Sequence, residues 1–221
     1  MKTFNPLSIT IPADVYNRLN RAHREYDMAI NDAYYYILNG GRVEDPMFES
    51  IFNDAFDRYY EYSNRKDEIS NDFVIPSIKK EYDLTDNTTV SNYWTVNFDS
   101  SYKCIIKNIT AKENTEEVIY DEPIDDKWIQ DVADIHNKLN VYDAIIERLL
   151  TNIKNGVVDT VNAEYLMLRD RRVKLSITED ENKAKFMKEV IDPIISDEDS
   201  SKCTWNLNPV KRTLTITRNN A

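Results

Sequence analysis

The sequence predicts a predominantly helical α+β protein in which a helical hairpin followed by a β-hairpin occurs twice in tandem, an α-α-β-β arrangement repeated. Three observations predict this class. Long stretches carry apolar residues at alternating steps of three and four, which is typical of amphipathic helices. Shorter stretches at 90–109 and 203–217 are rich in β-branched residues and favour strands. Landmarks of the first half also recur in the second half, in the same order and at nearly constant offsets.

The internal repeat determines the predicted domain organisation. The matched landmarks are Tyr26 with Tyr142, Asp27 with Asp143, Gly40 with Gly156, Val74 with Val190, Trp94 with Trp205 and Ile105 with Ile216. The sequence therefore predicts an N-terminal arm at 1–11, a first unit at 12–111, a polar connector at 112–125 and a second unit at 126–221. The alternative to a duplication is that two unrelated helical hairpins share a common pattern of apolar and polar residues.

The first helix of each predicted unit has an apolar stripe and a glycine at its end. One stripe runs from Val15 to Ile37, and its counterpart runs from Val132 to Ile153. Pro12 suits a first helical turn, where its missing N–H group would have no partner. Gly40 and Gly156 follow the stripes and are predicted to end these helices in a left-handed conformation.

The second helix and the β-hairpin complete each predicted unit. Asp45 and Pro46 form a typical helix start, and an apolar stripe continues to Phe73. The counterpart at 160–191 is less regular, and its polar stretch at 180–185 is expected to fray or bend. The first hairpin is predicted to turn at 99–101 and the second near 208–209, and an isolated hairpin is only marginally stable in water.

Composition and charge exclude several classes of function. The chain has 221 residues with 39 acidic and 28 basic side chains, a net charge of −11 that repels nucleic-acid phosphates. No apolar run approaches the 18 residues of a membrane span, and the first residues do not resemble a signal peptide. Three glycines are too few for phosphate-cradling loops, and two cysteines are too few for a disulfide framework. These features predict a cytoplasmic protein without nucleic-acid, membrane or small-molecule partners.

Candidate catalytic and metal-binding residues are sparse. His23 and His136 are the two histidines, and neither lies in a metal-ligand spacing with the other or with Cys104 or Cys203. We interpret the histidines as surface residues and the cysteines as small buried side chains. Carboxylate pairs occur mainly in polar connectors and are interpreted as solvated charge. The sequence therefore predicts no cofactor, no metal and no enzymatic activity.

Aromatic residues and two repeated carboxylates are the candidates for a partner interface. Tyrosine and tryptophan are amphipathic and are enriched where proteins meet. The tryptophan of each hairpin either fixes the hairpin to its helices or marks a strand that contacts a partner. The repeated aspartate either has a binding or salt-bridging role or is a polar residue on the outer flank of its helix. The candidates are Trp94, Trp205, Tyr34, Tyr35, Tyr59, Tyr60, Asp27 and Asp143.

One DNA-binding arrangement is a further alternative. Residues 7–12 followed by two helices have the order of a ribbon–helix–helix regulator, whose strand enters the major groove. Basic or amide side chains are expected on such a strand, whereas this one offers Ser8 and Thr10.

The helix pairs with tyrosine-rich stripes at 34–36 and 59–60, together with the tryptophan-containing hairpins, resemble small helical structural proteins of tailed bacteriophages. The resemblance is to head–tail adaptor and ring proteins, which usually have a single unit. It implies a non-enzymatic virion assembly component, in the cytoplasm or the virion, that forms a homo-oligomer or binds neighbouring proteins through helix faces and hairpin edges. The alternative is a peptide-binding accessory protein that serves a partner enzyme.

Overall fold

The computed structural model describes residues 1–86, 88–96, 102–113, 116–154, 159–195, 202–209 and 211–219. Helices dominate the described residues, and two small antiparallel sheets accompany them, which confirms the α+β class. The helices are α1 (Ala13–Leu38), α2 (Pro46–Ile69), α3 (Ile75–Glu81), α4 (Asp126–Trp128), α5 (Ile135–Lys154) and α6 (Asp159–Phe186). Three short π-helical segments adjoin them at Ser70–Val74, Ile129–Asp134 and Met187–Ile191. The strands are β1 (Lys2–Thr3), β2 (Leu7–Thr10), β3 (Thr88–Val96), β4 (Lys103–Glu113), β5 (Glu116–Pro123), β6 (Cys203–Asn208) and β7 (Thr213–Asn219).

The loop between α1 and α2 follows from its local sequence. Gly40 has φ +92°, a left-handed conformation that disfavours side chains, and its N–H donates to the Ile37 carbonyl at 3.0 Å. The Gly41 N–H donates to the Tyr36 carbonyl at 2.9 Å. Asp45 then accepts hydrogen bonds from the Arg42 backbone N–H and from the Tyr36 hydroxyl, each at 2.9 Å. The predicted end of α1 and start of α2 are confirmed.

In both sheets the central strand is the one that comes last in the sequence. In the first sheet β4 pairs antiparallel with β3 on one side and with β1 and β2 on the other. In the second sheet the order is β5-β7-β6. Trp94 lies opposite Ile106 and Trp205 lies opposite Ile216, so Ile105, which the sequence matches with Ile216, does not lie opposite Trp94.

Two segments expected to be irregular contain strands. Residues 1–11, predicted as an arm, supply β1 and β2, and residues 112–125, predicted as a polar connector, contain β5. Val118, Ile119 and Tyr120 have high β-propensity, but acidic neighbours concealed this in the sequence. Pairing with β7, which is distant in the chain, decides the conformation of β5.

The expected fraying of α6 at 180–185 does not occur, since the helix continues to Phe186. One contact with the π-helical segment Ile129–Asp134 and one ion pair within α6 explain the difference. The Asn182 side-chain amide donates to the Asp131 carbonyl at 2.9 Å, and Lys183 donates to Glu179 at 2.7 Å. The predicted turn at 99–101 and the predicted helix end at Gly156 lie outside the described residues.

The chain divides into two compact units, each with its own apolar core. The first comprises Met1–Arg24, Glu61–Glu116 and Asn219–Ala221, and the second comprises Glu25–Tyr60 and Glu117–Arg218. The core of the first unit lies between helical residues and its sheet, and fully buried members include Ile69, Ile78, Ile106 and Ile109. The second unit has one core between helices, with Ala33, Phe48, Ile145 and Leu149, and another beneath its sheet, with Phe186 and Ile216. The predicted boundaries at 12–111 and 126–221 stay a prediction.

Candidate interaction surface

The outer edge of the first sheet is formed by β3. This strand has nine residues and contains neither a charged residue nor a proline. A β-bulge between Ser91 and Tyr93 interrupts its pairing with β4, and the Tyr93 side chain is 59% exposed. Bulges are one way in which proteins protect an edge from further pairing, so β3 is an open but partly protected edge.

The second sheet ends in two different edges. On one side β6 has six residues without a charge or a proline, and the exposed Thr204 and Asn206 alternate with more buried neighbours. On the other side β5 ends on Pro123 and exposes carboxylates along its length. Charged residues and proline protect edge strands, whereas an uncharged edge can pair with another strand. Of these two edges, only β6 is uncharged, whereas the carboxylates of β5 disfavour an acidic partner strand but not a strand with basic flanks.

The two predicted tryptophans pack against the helices of their own unit. Trp94 adjoins the core of the first unit, with the Lys66 ammonium 5.8 Å from its ring centroid. Trp205 lies edge-on to Phe186, at 5.1 Å between ring centroids, and Trp128 contacts the same Phe186 at 5.2 Å. Their side chains therefore hold the sheets to the helices, while the backbone of β3 and β6 stays at the edge.

The four predicted tyrosines lie in different surroundings. Tyr59 packs edge-on against Tyr26, and its hydroxyl accepts a hydrogen bond from the Asn140 side chain at 3.0 Å. The rings of Tyr34 and Tyr35 are 5.0 Å apart, and Tyr35 is 54% exposed. Burial raises the pKa of the Tyr60 hydroxyl, and the nearby Asp134 carboxylate adds to this effect. Tyr35 is the member of this set that most resembles an interface residue.

Both predicted aspartates form ion pairs between helices. Asp27 on α1 is paired with Arg148 on α5, which also donates to Asn31. Asp143 on α5 accepts two hydrogen bonds from the Arg172 guanidinium on α6, each at 3.0 Å. Neither arginine could be identified from the sequence, because such partners depend on how distant helices pack.

A polar cavity of about 260 Å³ lies between three parts of the second unit. These are α2, the stretch formed by α4 and the π-helical segment Ile129–Asp134, and the turn between β6 and β7. Arg212 donates to Asp126 across part of it at 2.9 Å, and burial raises the pKa of Asp134. The described residues that line it are Phe56, Asp57, Tyr60, Asp126, Ile129, Gln130, Asp134, Pro209 and Arg212. The described lining contains three carboxylates and no histidine or cysteine.

A second polar cluster surrounds Glu179, which is 6% exposed. Its carboxylate accepts a hydrogen bond from Lys183 at 2.7 Å and lies 3.2 Å from the His136 ring nitrogen. Burial opposes ionisation of Glu179, but Lys183 and His136 together hold its pKa below the ordinary value. Sequence analysis missed this residue because its burial results from packing between α5 and α6.

The described residues contain no group of three or more histidine, cysteine, aspartate or glutamate side chains placed to hold a metal ion. Cys104 is fully buried, and burial raises the pKa of its thiol to about 12, so it is not a reactive thiolate. None of the described helices has both the length and the apolar character that a membrane span requires.

No protein-family model matches the chain, and neither the curated proteins nor the solved structures include a significant match to it.

Proposed function

We propose that the protein is a non-enzymatic interaction protein that assembles with copies of itself or with neighbouring proteins by strand addition at its open sheet edges. The observation that carries this proposal is that β3 and β6 are edge strands without a charged residue or a proline. An open edge presents unpaired backbone N–H and C=O groups, and an added strand satisfies them with main-chain hydrogen bonds.

We also propose that the chain is a tandem duplication, and that each repeat includes the strand before its helices. The order strand, helix, helix, strand, strand describes both β2 to β4 and β5 to β7, with the last strand central in each sheet. A π-helical segment follows the second long helix in both halves, at Ser70–Val74 and Met187–Ile191. The Trp–Ile pairs of β3–β4 and β6–β7 also correspond.

A backbone detail gives independent support to the duplication. Tyr102 and Arg212 each precede the last strand of their sheet and have positive φ angles of 52° and 54°. The carbonyl of Tyr102 accepts from the Ile11 N–H at 3.1 Å, and that of Arg212 accepts from the Ile124 N–H at 2.9 Å. Both isoleucines directly follow the first strand of their repeat. Positive φ is uncommon for bulky residues, so its occurrence at matched positions favours a common origin.

The most concrete form of this proposal is a virion assembly protein of the adaptor or ring type, which acts in the cytoplasm during assembly and then in the virion. Support comes from the resemblance of the helix pairs and tryptophan hairpins to such proteins, together with the open edges. The ribbon–helix–helix alternative has less support, because β2 pairs with β4 of its own chain. The peptide-binding alternative would use the same edges to capture a peptide strand.

The mass of the protein in solution tests the proposal. We expect size-exclusion chromatography with light scattering to give a mass above 26.0 kDa for the wild type. The double variant Ser91→Asp/Asn206→Asp places a negative charge on β3 and on β6 and should shift the mass to that of the monomer. The double variant Ser50→Asp/Asn162→Asp, which adds the same two charges at exposed positions of α2 and α6, is the matched control and should leave the mass unchanged.

A wild-type protein that stays monomeric at high concentration would contradict self-assembly. An oligomer whose mass is the same in Ser91→Asp/Asn206→Asp and in the Ser50→Asp/Asn162→Asp control would contradict strand addition at these edges.

A further inference from the structure

The second sheet has two edges of opposite charge. From Lys202 to the end of the chain there are four basic residues and no acidic residue, although the whole protein has a net charge of −11. The β5 edge exposes three carboxylates, those of Glu117, Asp121 and Glu122. The β6 strand is therefore uncharged with basic flanks, whereas β5 is acidic.

The directions of the strands determine how these edges could meet. Asp121 accepts from the Thr215 hydroxyl at 2.7 Å and Ile124 donates to the Arg212 carbonyl at 2.9 Å, so β5 runs antiparallel to β7. β6 also runs antiparallel to β7. Consequently β5 and β6 point in the same direction. A second copy that continues the sheet with its helices on the same face would therefore place its β6 parallel to β5.

Charge complementarity selects this contact over the symmetric ones. In the parallel arrangement Lys202, at the start of β6, lies near Glu117 at the start of the neighbouring β5. Lys211, in the turn that follows β6, lies near Glu122 at the end of β5. A symmetric pair of β6 strands would run antiparallel and bring Lys202 towards Lys211 of the other copy, and a pair of β5 strands would oppose carboxylates. Like charges at such positions are unfavourable.

We propose that the protein self-associates head to tail, with the β6 edge of one copy added in parallel to the β5 edge of the next. This inference rests on the proposed function and specifies its partner as a second copy of the chain. A head-to-tail contact uses two different surfaces of each subunit, so it generates a closed ring or an open filament rather than an isolated dimer.

Charge reversal tests the contact. The Lys211 and Glu122 side chains are both exposed and form no ion pair within the described residues, so they can be changed without disturbing a known contact. We expect Lys211→Glu and Glu122→Lys to raise the dissociation constant about tenfold each in sedimentation equilibrium experiments. The control Lys188→Glu makes the same charge change as Lys211→Glu at an exposed position after α6 and should have little effect.

Mixing the two variants is the decisive experiment. Each variant retains one natural edge, and the two altered edges carry complementary charges, so an equimolar mixture should associate about as tightly as the wild type. A symmetric β6 contact predicts instead that Lys211→Glu associates more tightly by itself, and this result would overturn the inference. A wild-type oligomer that none of these charge changes alters would also overturn it, while strand addition at another edge would stand.

Discussion

Glu179 and Asp134 show how the surroundings of a single carboxylate set its contribution to stability. Glu179 is buried and ionised, and its pKa is lowered because Lys183 and His136 outweigh the cost of burial. Asp134 is half-buried, and its pKa is raised because Lys138 only partly offsets that cost. A lowered pKa of an acid in the folded state adds stability above the unfolded pKa, whereas a raised pKa has the opposite sign.

We therefore predict opposite effects for two matched substitutions. Glu179→Gln should lower the free energy of unfolding at pH 7 by about 1–3 kcal/mol, because a buried charged hydrogen bond is lost. Asp134→Asn should leave it unchanged or raise it, because a partly desolvated charge is removed. Urea unfolding at pH 7 provides the measurement.

The pH dependence gives a second measurement. The contribution of Glu179 is complete above its unfolded pKa of about 4.3 and is lost as the pH falls through its lower folded value. The difference between wild type and Glu179→Gln should therefore shrink from pH 7 to pH 3. A difference that grows over this range would contradict the proposed ionisation of Glu179.

At the scale of elements, the end of α1 depends on one backbone conformation. Gly40 has φ +92° with open space around the position of a Cβ atom, whereas a Cβ on Gly41 would lie 2.3 Å from the Tyr36 ring. The two neighbouring glycines are therefore required for different reasons, one for its conformation and the other for the space occupied by a ring.

Substitutions at Gly40 test this account. Gly40→Ala should destabilise the protein by about 1 kcal/mol, because a left-handed conformation is unfavourable for residues with a Cβ atom. Gly40→Asn should cost less than Gly40→Val, since asparagine tolerates this region and a β-branched residue does not. Thermal unfolding monitored by circular dichroism ranks the three variants. Equal stabilities for asparagine and valine would show that conformation is not the determinant.

Most helices of the fold were predictable because their signals are local. The apolar stripe of α1, the glycines after it and the Asp45–Pro46 start of α2 lie within a few turns of one another. The strand β5 was not predictable, because its partner β7 lies about 90 residues later in the chain. The same reason applies to the arginines that pair with Asp27 and Asp143.

At the scale of the whole molecule, charge is distributed unevenly between the compact units. Acidic and basic side chains balance in the first unit, so the net charge of −11 belongs to the second. A net charge far from zero keeps proteins apart and soluble. Self-association of this acidic protein therefore requires a surface that is locally neutral or basic, as the edge formed by β6 is.

The charge also predicts a dependence of solubility on pH. The isoelectric point calculated from the sequence is about 4.8. We expect solubility to fall as the pH is lowered from 7 and to reach a minimum near this value, because the repulsion between molecules disappears there. Static light scattering over this pH range measures the change. A minimum well above pH 6 would indicate that attraction between specific surfaces outweighs the net charge.

The sequence by itself determined the helical periodicity, the helix ends at glycine and proline, the excess of acid and the alternation of the strands. These properties depend on residues within one or two turns of each other or on composition alone. Tertiary structure decided which strands lie at the edges of the sheets and which charged side chains are buried or paired. It also decided that residues 116–123 form the strand β5. Those outcomes depend on contacts between distant segments, and a linear pattern contains little information about them.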